Sequence, residues 1–78
     1  MSYCYYDSRE NLRGVKMHLE RIKSSQKEEV IKRERKELFE LVRELKSNND
    51  TYVLMGLSSV ESAQLKKELL GTELEGVV

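Results

Sequence analysis

The sequence predicts a mainly α-helical domain built on a helical hairpin, and three observations carry that expectation. Residues 8–23 and 26–47 each place apolar side chains at helical spacing. A capping box and a glycine bracket a third stretch, 59–70, and the 78-residue chain contains no proline to interrupt any of them. Apolar residues recurring every three or four positions form a stripe that must be buried against another element.

The first helix is expected to start after Asp7, whose carboxylate can cap it, with Glu10 three residues on. Leu12, Val15, Leu19 and Ile22 then form its stripe, and Arg21 and Lys23 complement the helix dipole at its end. Gly14 costs about 1 kcal/mol relative to alanine, so it is either tolerated or allows a close helix approach. Ser25 and Glu28 match a capping box for the second helix. Its stripe is Val30, Ile31, Leu38, Leu41, Val42 and Leu45, and Glu29, Lys32, Arg33, Lys36, Glu40 and Arg43 form its outer face.

One unbroken helix from 8 to 47 is the alternative. The second stripe is rotated by on the order of 100° from the first, so a straight helix would point its apolar faces apart. A bend near Ser24–Ser25 lets them meet, which favours the hairpin. Ser47-Asn48-Asn49-Asp50 ends the second helix, because asparagine tolerates left-handed backbone. For residues 51–57 two readings stand: a short strand, pairing 51–56 with 3–6 as a two-stranded ribbon, or helix, since Val53, Leu57 and Val60 share a helical face. Ser58 and Glu61 form a capping box for the third helix and Gly71 stops it. Val60, Ala63, Leu65, Leu69 and Leu70 make no single stripe, so burial on two sides is expected. Residues 1–71 read as one small domain and 72–78 as a flexible tail.

Composition narrows the function. Lys plus Arg and Asp plus Glu each total 14, and a net charge of zero argues against a general nucleic-acid binder. Residues 1–36 carry +4 and residues 37–78 carry −4, so two copies could attract each other antiparallel, or the basic half could meet an acidic partner. No apolar run approaches a membrane span and the first residues do not read as a signal peptide, so a cytoplasmic protein with a reduced Cys4 is expected.

No catalytic constellation is present. His18 is the sole imidazole and reads as a boundary residue packing its ring. Cys4, beside Tyr3, Tyr5 and Tyr6, has no neighbour in sequence to activate it. One Cys and one His cannot make a four-ligand zinc site in one chain, so no metal and no cofactor are expected. Glu29, Glu34, Glu37 and Glu40 alternate with Lys and Arg and read as solvated salt pairs.

The function expected from these residues is a small non-enzymatic protein–protein interaction module, a regulator or inhibitor. It would act through helical surfaces, with self-association, a dimer being favoured, and an unidentified protein partner. The interface candidates are Met17, Phe39, Tyr3, Tyr5 and Tyr6, apolar or aromatic residues outside the stripes. By analogy of size alone, such chains suit viruses and mobile elements. The alternative is a DNA-binding regulator using Lys32, Arg33, Lys36 and Arg43. For it, Gly56-Leu57-Ser58-Ser59-Val60-Glu61-Ser62-Ala63 resembles the turn and recognition-helix start of helix-turn-helix proteins, though Lys66 and Lys67 fall late in that helix.

Overall fold

The computed structural model describes residues 8–78. Helix α1 spans Ser8–Ser24, α2 spans Glu28–Ser47, a 3₁₀ segment spans Thr51–Gly56, and α3 spans Ser59–Leu69. The expected capping by Asp7, together with Cys4 and the three N-terminal tyrosines, lies outside the described residues.

The two long helices form an antiparallel pair. Gly14 lies against Leu41 and His18 against Glu34, so position falls along α2 as it rises along α1. A Cβ on Gly14 would stand 3.0 Å from Leu41 Cδ2, so this glycine lets the helices approach. Val15, Leu19 and Ile22 of α1 and Leu38, Val42 and Leu45 of α2 are buried in one core, with Leu12, Ile31 and Leu41 packed at its edge. The rotated stripes thus face each other, which a single straight helix would forbid. The bend itself differs in detail from the sequence reading. Lys27 is the N-cap of α2 and makes no side-chain cap bond. Ser25 Oγ instead accepts from Lys27 N at 3.2 Å, holding the turn one step before the helix.

Asn49 takes a left-handed φ of 55° and turns the chain out of α2. Of the two readings for 51–57, the ribbon is not formed: Thr51–Gly56 is 3₁₀ helix, and there are no strands among the described residues. Burial explains why. Val53 and Leu54 are adjacent and both buried, and Leu57 is buried after them, whereas a half-buried strand would alternate. Tyr52 and Met55, three apart, stay on the solvent side, as the three-residue repeat requires.

Ser58 and Glu61 do form the capping box, with Glu61 N donating to Ser58 Oγ at 3.2 Å and Ser58 N donating to Glu61 Oε1 at 2.9 Å. Helix α3 buries Leu65 and Leu69 along one narrow face, while Val60 and Leu70 are exposed, so it is not buried on two sides. Gln64 Nε2 donates to Leu19 O at 2.8 Å and Arg35 Nε donates to Glu68 Oε1 at 2.6 Å, so α3 reaches both hairpin helices. Gly71, with φ of 82°, ends it.

Residues 72–78 pack back onto the domain. Thr72 Oγ1 donates to Leu69 O at 2.7 Å and accepts from Leu74 N at 3.1 Å, a turn that delivers Leu74 into the core at 1% exposure. Val77 and Val78 pack against the same core. No helix among the described residues is long and apolar enough to cross a membrane.

Candidate functional site

The outer face of α2 carries an open groove of about 340 Å³. Phe39 is half-buried and packs against the core through one side. Lys32, Arg35, Lys36, Glu40 and Arg43 line the groove with it. Residues three, four and seven apart share a helix face, which is why one α2 turn after another contributes to it. The sequence reading named Phe39 as a protein contact and Lys32, Lys36 and Arg43 as nucleic-acid contacts, and the structure brings all four into this groove. Arg33, the fourth basic candidate, is not among its lining residues and instead approaches Glu34 at 4.0 Å. Arg35 was missed.

The groove is less cationic than its sequence suggests. Arg43 donates through Nε and Nη2 to Glu73 Oε1, at 2.9 and 2.6 Å. Arg35 is held by Glu68, and Lys32 stands 3.8 Å from Glu28. Lys36 is the one rim cation without a carboxylate partner among the described residues. Of the other interface candidates, Met17 is 42% exposed on α1 and does not line the groove. The chain also exposes Met55, Val60 and Leu70, which the sequence reading did not single out as contacts.

A second cluster lies between α1 and α2. His18 Nδ1 stands 2.7 Å from Glu34 Oε1 and 4.0 Å from Glu37 Oε1. Glu34 is not the solvated glutamate expected from its basic neighbours: it is 3% exposed. Its pKa is lowered from the ordinary 4.5, first by the His18 hydrogen bond and then by the charges of Arg21, His18 and Arg33, against a burial penalty that raises it. An ionised Glu34 only accepts, so His18 Nδ1 is the donor. Position 34 lies four before Leu38 and three after Ile31, on the buried stripe, and that placement was the available signal. The donor atoms of His18, Glu34 and Glu37 all lie within 4.8 Å of one another.

No family model matches the chain, and neither curated proteins nor solved structures provide a match.

Proposed function

We propose that this chain is a non-enzymatic protein–protein interaction module, a small regulator or inhibitor whose contact surface is the outer face of α2. The observation that supports this most is the Phe39 groove, where an aromatic floor meets a rim of long cationic side chains already largely paired within the chain. Aromatic residues and arginine concentrate at protein interfaces, and the methylene stems of arginine and lysine cover apolar surface while their charged heads stay in water. Lys36, unpaired at the rim, favours a partner that brings a carboxylate beside its apolar anchor.

Self-association belongs to the same proposal on a changed basis. The two stripes are covered within one chain by each other, the 3₁₀ segment, α3 and Leu74, and offer no face to a second copy. A dimer would therefore rest on exposed side chains such as Met17 and Met55.

Affinity capture from the source cell tests the proposal, using wild type and Lys36→Glu, with and without nuclease. Lys36 is exposed, so the variant is expected to keep its fold. The expected result is a protein captured by wild type, retained after nuclease and lost with Lys36→Glu. Capture that disappears on nuclease treatment would instead support the DNA-binding alternative, which uses the same Lys32, Lys36 and Arg43.

A further inference from the structure

We propose that His18, Glu34 and Glu37 form a binding site for one divalent transition-metal ion of the zinc class, clasping α1 to α2. The donors come from both hairpin helices. Glu34 and Glu37, three apart, project from one face of α2, and His18 meets them from α1. One imidazole with two carboxylates matches zinc and its transition-metal neighbours, whereas calcium and magnesium take oxygen-only sets.

The geometry needs small movements. Bonds of about 2.0–2.2 Å to a tetrahedral ion hold donor atoms roughly 3.3–3.5 Å apart. The His18 Nδ1 to Glu34 Oε1 distance of 2.7 Å must open slightly, and Glu37, at 4.0 Å from Nδ1, must swing inward. Its side chain is 47% exposed and can rotate. The ion takes the place of the Nδ1 proton that His18 donates to Glu34; that proton is released to solvent, and the imidazole is left protonated at Nε2. Water completes the coordination.

Glu34 is already oriented for this. Its Oε1 faces His18, while Oε2 faces Arg21 Nη1 at 3.6 Å and Arg33 Nη2 at 4.0 Å. Outer partners of this kind fix a ligating carboxylate. The arginines also oppose a cation, but both side chains are more than half exposed and their charge is screened by solvent. The balance sets a modest affinity.

Calorimetric titration of the full chain with zinc chloride at neutral pH tests the site, with magnesium chloride as the control ion and cobalt(II) absorption as a readout of coordination. One zinc per chain is expected, with a raised melting temperature and no response to magnesium. Glu37→Gln, on an exposed side chain that does not support the core, should weaken zinc binding at least tenfold, and His18→Gln should abolish it. Cys4→Ser should leave it intact. Absence of saturable binding up to about 1 mM zinc, a wild-type affinity in Glu37→Gln, or loss of binding in Cys4→Ser would overturn the proposal.

Discussion

At the scale of single residues, Glu34 decides how the hairpin responds to acid. Its folded pKa lies below the ordinary glutamate value of 4.5 because His18 donates to it and Arg21 and Arg33 face it. The stability this contributes is present above that ordinary value and is lost as the pH falls through the folded one. Glu34→Gln, which cannot ionise, should be less stable than wild type near neutral pH. The gap, on the order of 1–3 kcal/mol for a hydrogen bond to a charged group, should close as the pH is lowered through the folded pKa of Glu34. Denaturant melts of both proteins across that range measure it, and a gap that persists in acid would deny Glu34 this role. Leu38 and Met17 make a second contrast. Leu38 is fully buried and Met17 is 42% exposed. Leu38→Ala should cost about 2–5 kcal/mol, a large part of the stability of so small a domain. Met17→Ala should leave the thermal midpoint of the fold nearly unchanged. Equal destabilisation by the two would make Met17 a core residue.

At the scale of elements, the capping box of α3 is the most isolated test. Ser58→Ala removes the acceptor for Glu61 N and should cost about 1 kcal/mol, read from thermal melts. Comparable stability in the variant would mean that packing alone sets where α3 begins. This cap was legible because its two residues stand three apart in sequence, as were both hairpin stripes, whose periodicity is local. What was not legible depended on distant partners. The segment 51–56 has strand-like composition, yet Val53 and Leu54 bury side by side against the hairpin, which no period within six residues announces. Leu74 stands between two glutamates and reads as tail, but Thr72 turns it into the core. Glu34 was hidden by its charge. In the groove, Phe39, Lys32, Lys36 and Arg43 could be found from one helix face, whereas the Glu68 and Glu73 that neutralise Arg35 and Arg43 come from some 30 residues away.

At the scale of the whole molecule, the opposite charges of the two halves of the sequence are partly spent within one chain, as in the Arg35–Glu68 bridge. Attraction between copies is correspondingly reduced, and the proposed self-association would rest on exposed apolar side chains. Light scattering from low micromolar to near millimolar concentration should show a reversible rise in mass, reduced by Met17→Ala; a constant monomer mass would exclude it. The α2 groove is proposed as the place where the chain meets another protein. Its most direct test places a photo-crosslinking residue at position 40, on the groove rim beside Phe39, so that Lys36 is kept, with a control at exposed Lys66 on α3, in the source cell. A discrete protein adduct is expected from position 40 that survives nuclease and is absent from position 66. Equal adducts at both positions, or crosslinks at position 40 only to nucleic acid, would contradict it.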